Sequence, residues 1–293
     1  MQIILIHNTG AGDGHYDEDA LLSLIRGHGH QVESFVAKDD WMRSVRRPVE
    51  LVVAAGGDGT VEEVARQVAG SGIPIGVLPL GTANNVASAL GIVATPIPEL
   101  IAGWTRAERR PFDTGRARAD NEAFRFVESV GAGLLAESIA EITEGSAGYV
   151  DELSDAQKRM DAAIDVLRRT LRQLQPIRIE LTVDGQSLSG EYLLVDVMNF
   201  GCAGPNLRLA PDAVQSDGLF DVVLAEAGDR DRLLAALPRF QQGAHPADAL
   251  RIHRARHVIL DANGHQLHLD DELRKYQGPV ELTVEPHALT FLV

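Results

Sequence analysis

Short runs of consecutive apolar residues, separated by glycine-bearing loops, dominate the first third of the chain. Gln2–His7, Val32–Val36, Leu51–Ala55 and Ile73–Leu78 each read as a strand. Helical spacing lies between them. Asp17–Gly27 places Leu21, Leu22, Leu24 and Ile25 on one side, about Val61–Ala69 forms a second helix, and a third runs to about Leu90. Apolar runs alternating with helices predict a parallel sheet covered on both faces. Three of these strands end in similar loops. They are Asn8-Thr9-Gly10-Ala11-Gly12, Gly56-Gly57-Asp58-Gly59-Thr60 and Pro79-Leu80-Gly81-Thr82-Ala83-Asn84-Asn85. A helix start offers unpaired N–H groups and a partial positive charge, which suit phosphate, and glycine permits close approach. Taken singly, such a loop is only a tight turn. Three at the C-terminal edge of one sheet point to a bound phosphate. Thr60 and Glu63 have capping-box spacing at one of these starts.

From about Pro111 the pattern changes to strands with hairpin signals. Asp184-Gly185 separates Ile177–Val183 from Ser187–Tyr192, and Asn263-Gly264 separates Val258–Leu260 from Gln266–Leu269. Both dipeptides suit two-residue hairpin turns. Further runs lie at Phe124–Val130, Leu193–Asn199, Phe220–Ala225, Val280–Val284 and Ala288–Val293. An inserted helix, capped by Ser154 and ended before Pro176, carries an apolar stripe of Met160, Ile164, Leu167, Leu171 and Leu174. Its flank holds Lys158, Arg159, Arg168, Arg169 and Arg172, a face suited either to solvent or to a lipid headgroup surface. The pattern predicts a nucleotide-binding α/β domain over 1–108 and an antiparallel β-rich domain with inserted helices over 109–293.

Composition narrows the function. The chain has 293 residues, 45% hydrophobic and 24% charged, as in a folded globular protein. Its 27 Lys and Arg against 42 Asp and Glu give a net charge of -15, which argues against nucleic-acid binding. The single cysteine, Cys202, excludes an internal disulfide framework and points to a reducing compartment. The apolar start carries no basic leader, so a signal peptide is not expected. The uncharged stretch Gln67–Pro98 is broken by Pro74, Pro79 and Pro96 and is no membrane helix. A cytoplasmic protein, peripheral at the membrane at most, is expected.

The motifs together resemble one family. Gly56-Gly57-Asp58-Gly59-Thr60 is similar to the nucleotide loop of the diacylglycerol kinase and sphingosine kinase catalytic-domain family, and also to that of NAD kinases. Pro79–Asn85 resembles the lipid-kinase PLGTxND segment. Ala210-Pro211-Asp212-Ala213 with Asp217-Gly218-Leu219-Phe220-Asp221-Val222 resembles its AP-x-A…DG stretch, and Asp270-Asp271-Glu272 its DGE. The resemblance implies a Rossmann-like domain joined to a β-rich lipid-substrate domain, with the active site in the cleft between them. It implies ATP as donor, Mg²⁺, and a lipid alcohol such as diacylglycerol as acceptor. Asn8, Thr9, Gly10, Ala11, Gly12, Gly56, Gly57, Asp58, Gly59, Thr60, Val61, Glu62, Gly81, Thr82 and Asn84 match ATP-binding positions. Val214, Asp217 and Leu219 match a Mg²⁺ site, two of them through backbone carbonyls. Glu272 matches the proton acceptor, with Asp58 beside the phosphates as the second candidate. Expected partners are the lipid substrate and, transiently, a membrane surface, with a homodimer left open.

The same chemistry follows from the residues. Phosphoryl transfer needs a held donor, charge neutralisation and an acceptor hydroxyl relieved of its proton. No P-loop lysine motif is present, so acidic residues and a divalent ion are expected to carry more of that work. The chain departs from the family pattern at Thr9 (proline there), around Ala37-Lys38 (threonine), at Asn85 (aspartate) and at Asp271 (glycine). His253, His257, His265 and His268 read as hairpin residues rather than a metal site, Trp41 and Trp104 as packing residues, and Cys202 as a small buried side chain. The competing functions are an NAD kinase and a non-catalytic nucleotide- or lipid-binding protein.

Overall fold

The structure, a computed structural model, describes residues 1–8, 16–36, 41, 48–145, 147–153, 155–240 and 250–293. Thr9–Gly12, Ala37-Lys38 and Ser154, singled out above, lie outside the described residues. The chain forms two compact units: Met1–Phe112 with His287–Val293, and Asp113–Pro286.

The first unit carries β1 (Gln2–His7), α1 (Glu18–Gly27), β2 (Gln31–Val36), β3 (Leu51–Gly56), α2 (Asp58–Val68), β4 (Ile75–Pro79), α3 (Asn85–Ala89) and α4 (Ile97–Gly103). Its strands are parallel in the order β2-β1-β3-β4. All six residues of β3 are buried, as a strand covered on both faces requires. Asp17 starts α1, its carboxylate accepting from Ala20 N at 2.8 Å. Leu21 and Ile25 of α1 then pack with Ile3, Leu5, Leu51, Val53 and Trp104. Trp41 and Trp104 are both buried, as packing residues. The last residues of the chain return to this unit. Phe291 pairs in parallel with Ile75, and its ring meets Phe112 edge-on at 5.1 Å. A boundary that assigns the whole C-terminus to the second domain misses this return.

The second unit is antiparallel. It begins within β5 (Arg109–Ala119) and continues through β6 (Glu122–Phe126), β7 (Ser129–Gly133), α5 (Leu134–Thr143), α6 (Tyr149–Glu152), α7 (Ala156–Gln173), β8 (Ile177–Val183), β9 (Gln186–Ser187), β10 (Gly190–Met198), β11 (Cys202–Ala203), β12 (Leu207–Arg208), β13 (Phe220–Glu226), α8 (Arg230–Phe240), β14 (Arg251–Ala255), β15 (His257–Asp261), β16 (Leu267–Leu269) and β17 (Glu272–Arg274), ending within β18 (Val280–Leu292). One group of strands runs β17-β16-β7-β10-β13-β14, and β8 and β15 lead from β10 to β18. Ile179, Leu181, Val258, Leu260 and Leu282 share a core with Val130, Val195, Val197, Phe220 and Val222. The opposite face of β10 and β13, with Leu194, Met198, Val223 and Ala225, is covered by α5, α7 and α8 through Leu134, Ile164, Leu167, Leu171, Leu233 and Leu237.

Several local expectations change. The α2 helix starts at Gly57, so Thr60 lies inside it and makes no capping box. Asp155 caps α7, accepting from Lys158 N at 2.8 Å. Asp184-Gly185 is the expected hairpin turn, both residues having positive φ and Val183 pairing Gln186. Asn263-Gly264 has the same backbone but makes no hairpin. After it β15 stays with β8 and β18, whereas β16 pairs with β7 and β17. Phe124–Val130 divides into β6 and β7, the two last predicted strands merge into β18, and Cys202 is half-buried rather than buried. No helix among the described residues is long and apolar enough to cross a membrane.

Candidate active site

In the first unit the chain reverses direction between β1 and β3, because β2 lies on one side of β1 and β3 with β4 on the other. The C-terminal ends of β1 and β3 flank this switch point, where open α/β sheets bind ligands. Asn8 follows β1 there, its N–H donating to Ala55 O at 3.1 Å. The loops after β3 and β4 are built as one piece. Leu80 N donates to Gly56 O at 2.9 Å. A Cβ on Gly81 would lie 2.3 Å from Gly57 Cα, and one on Gly57 would lie 3.2 Å from Gly81 Cα, so two side-chain-free residues let the loops touch. Asn84, with φ of 51°, closes its own loop by accepting from Gly81 N at 3.0 Å and donating to Gly81 O at 2.9 Å.

Asp58 joins the two loops chemically. Its Oδ1 accepts from Val86 N at 3.0 Å, so the carboxylate that begins α2 also caps α3. Burial pushes its carboxyl above the ordinary range, against N–H donors from Val86, Asn85 and Asn84. Asn85, where the family has aspartate, is buried beside it and adds no second negative charge. Thr60, Val61 and Glu62 are buried on the inner side of α2, and Thr60 N and Val61 N already donate to Gly57 O. These three residues support the loop, while Gly57–Gly59 and Gly81–Thr82 form its more open part.

In the second unit, Asp270 and Asp271 turn the chain from β16 into β17, which Glu272 begins. Asp270 alone of the two has positive φ, 51°. Asp271 therefore occupies the family's glycine position without backbone strain. Asp270 ties the turn to the start of β7: its carboxylate accepts from Val127 N at 3.0 Å and Glu128 N at 2.8 Å, and its N–H donates to Ser129 O at 2.8 Å. Glu272 is half exposed and pairs with Arg274 at 2.5 Å; Arg274 itself lies over the Phe124 ring at 4.9 Å. Nearby sequence reasoning missed a buried pair, His268 and Asp196, with Nε2 and Oδ1 3.4 Å apart.

The proposed metal residues fit a cation poorly. Asp217 Oδ1 accepts from Leu219 N at 3.0 Å, and its Oδ2 is ion-paired with Arg254. The carbonyl of Val214 accepts from Asp217 N at 3.4 Å. Burial pushes the neighbouring Asp221 carboxyl up to about 6, Arg254 lowering it and Asp217 and Asp212 adding to the rise. Arg254 thus supplies the positive charge that Asp217 faces. Among the described residues no group of three or more His, Cys, Asp or Glu is placed to hold a metal ion. A cavity of about 440 Å³ lined by Glu137, Glu141, Arg169, Thr170, Gln173 and Leu174 is too polar for an acyl chain.

The parallel sheet with glycine loops at its switch point, followed by an antiparallel β unit, defines a two-unit α/β protein whose first sheet has the layout of a ligand-binding open sheet. The family described as "Diacylglycerol kinase catalytic domain" matches residues 2–117, and "YegS C-terminal NAD kinase beta sandwich-like domain" matches 140–293. The chain is 32% identical to the "Probable lipid kinase YegS-like" of Xanthomonas axonopodis pv. citri, over 90% of this chain and 87% of that one. It is 28% identical to a "Diacylglycerol kinase" of Mycobacterium tuberculosis, over 93% and 84%. A solved diacylglycerol kinase structure from Bacillus anthracis str. Sterne superposes with a TM-score of 0.69 over 99% of this chain and 96% of that one, at 18% identity, and so shares the fold. The chain belongs to the diacylglycerol kinase and YegS-like family of lipid kinases.

Proposed function

We propose that this lipid kinase transfers the γ-phosphoryl group of Mg-ATP to the hydroxyl of a lipid such as diacylglycerol. The observation that carries this is the joined loop pair at the switch point, in which Gly57 and Gly81 touch and Asp58 bridges α2 and α3. Backbone of that kind suits a phosphate chain. Mg²⁺ arrives with the nucleotide as part of the donor. Asp58 is the carboxylate of the donor side and Glu272 that of the acceptor side.

In this scheme Glu272 takes the proton of the lipid hydroxyl. The freed oxygen attacks the γ-phosphorus in line, the bond to the β-phosphate oxygen breaks, and ADP leaves. Arg274, stacked on Phe124, holds Glu272 in place for that transfer. The acceptor being a lipid, the scheme includes a transient contact with a membrane surface, to which α7 offers the exposed Lys158, Arg169 and Arg172. The test is incubation with a total lipid extract and γ-labelled ATP, with mass-spectrometric identification of the product. Label in a phosphorylated lipid is expected. Label in a phosphorylated dinucleotide would make the chain an NAD kinase, and bound ATP without turnover would make it a nucleotide-binding protein.

A further inference from the structure

The buried pair behind the Glu272 turn has a layout that packing alone does not explain. Asp196 on β10, Gly131 on β7 and His268 on β16 lie in one row across three strands. Their neighbours Val195, Val197, Val130, Ala132, Leu267 and Leu269 belong to the sheet-to-sheet core, so alternation turns this row to the other face. Gly131 leaves the room. A Cβ there would lie 2.7 Å from His268 Nε2 and 2.8 Å from Asp196 Oδ1. Across that gap the ring and the carboxylate meet at 3.4 Å, both buried. The other ring nitrogen, Nδ1, lies 3.1 Å from the carbonyl oxygen of Asp270.

A carbonyl only accepts, so Nδ1 must carry a proton. Nε2 faces the buried Asp196 carboxyl at 3.4 Å, whose oxygens have no hydrogen-bond partner among the described residues, and this pairing favours the protonated, charged ring. Burial opposes that charge, but Asp196 and the acceptors of Asp196 and Asp270 outweigh it, and the ring binds its proton more tightly than an ordinary histidine. Of the other elements packed against β16, α5 carries Glu137 and Glu141, and β17 carries Glu272 and Arg274.

We propose that His268 is a positioning residue for phosphoryl transfer: anchored by Asp196, it holds the Asp270 carbonyl and so fixes the two-residue turn that delivers Glu272. This rests on the assignment of Glu272 as the acceptor-side base. Misplacing a reacting group by about 1 Å costs on the order of 100-fold in rate. A group that only positions the base lowers turnover and leaves nucleotide affinity alone.

The test compares wild type with His268→Leu, which loses both contacts, His268→Asn, whose amide can still donate to Asp270, and Asp196→Asn, which keeps shape and removes charge. Two readouts are taken on the folded proteins: steady-state transfer from ATP to diacylglycerol, and amide hydrogen exchange over residues 269–274. His268→Leu is expected to lower kcat by about 100-fold with KM for ATP unchanged, and to speed exchange in the turn. His268→Asn is expected to recover part of both. In Asp196→Asn the alkaline fall of kcat is expected at lower pH than in wild type, because the ring gives up its proton more easily. Wild-type kcat in His268→Leu would overturn the proposal. So would a pH profile unmoved in Asp196→Asn. If His268→Leu does not fold, Asp196→Asn decides alone. If wild type transfers nothing, the lipid-kinase assignment fails by itself, and unchanged exchange in the turn would then overturn the positioning role separately.

Discussion

Two carboxylates have opposite surroundings. Asp58 is drawn into the backbone, accepting from Val86 N at the start of a second helix, and burial raises its carboxyl. Glu272 stands half exposed at the first residue of a strand, facing a guanidinium. Asp58 spends an oxygen on the backbone and Glu272 one on Arg274, so substitution decides which of the two is the base. Glu272→Gln is expected to lower turnover by about 10²–10⁴-fold while ATP affinity, measured by calorimetry, stays at the wild-type value. Wild-type turnover in Glu272→Gln with loss in Asp58→Asn would move the base to Asp58. A third carboxylate, Glu285, accepts from Arg116 Nε at 2.6 Å and Arg125 Nε at 2.7 Å within the second unit. Burial raises its carboxyl, but the hydrogen bonds and charges of Arg125 and Arg116 outweigh this and hold it below the ordinary range. Its stabilisation is then full above the ordinary glutamate value of about 4.3 and is lost as pH falls through the lower folded value. Glu285→Gln should lower the thermal midpoint near neutral pH, by about 1–3 kcal/mol of stability. The difference from wild type should shrink as the pH is taken below that of ordinary glutamate titration, as followed by circular dichroism.

At the scale of elements, what could be seen in the chain was what is local. Apolar runs marked β1, β3 and β4, because a strand buried on both faces has few polar positions to confuse the pattern. The glycine loops marked the helix starts after them. Long-range pairing was hidden. Asn263-Gly264 specifies a reversal of the chain and does produce it, yet the next strand is claimed by β7 through Leu267↔Ala132 and Leu269↔Val130. Thr60 and Glu63 matched a capping box, but Gly57 starts the helix and Thr60 packs over Gly56, which has no room for a side chain. His268 looked like one histidine among several in a strand region. Its partner Asp196 is 72 positions away and is brought to it only by the β10-β7-β16 order. The close approach of Gly57 and Gly81 also changes what a glycine substitution reports. Gly81→Ala must push backbone against backbone, so it is expected to lower both the melting temperature and the ATP affinity, the latter by about tenfold or more, equivalent to about 1.4 kcal/mol. Unchanged ATP binding in a folded Gly81→Ala protein would remove the loop pair from the nucleotide site.

For the whole molecule, the proposed scheme divides the chemistry between the units: a parallel α/β unit whose loops suit a phosphate chain, and an antiparallel unit with Glu272 on a turn pinned at Asp270. The division was legible in the shift from strand–helix alternation to hairpin signals near Pro111. The return of His287–Val293 to the first unit was not, because it rests on long-range pairing, Phe291 with Ile75 and Val293 with Glu108, that no local pattern marks. A net charge of -15 gives no general attraction to anionic lipid, so the membrane contact proposed above rests on local features. The measurement that tests the account most directly is the fate of the γ-phosphate. Wild-type protein is mixed with γ-labelled Mg-ATP, diacylglycerol in mixed micelles and NAD in the same tube, and the organic and aqueous phases are counted after extraction. The account predicts label in the organic phase as a phosphorylated lipid, lost in Glu272→Gln. Label confined to the aqueous phase, as unreacted ATP or phosphorylated NAD, would contradict it.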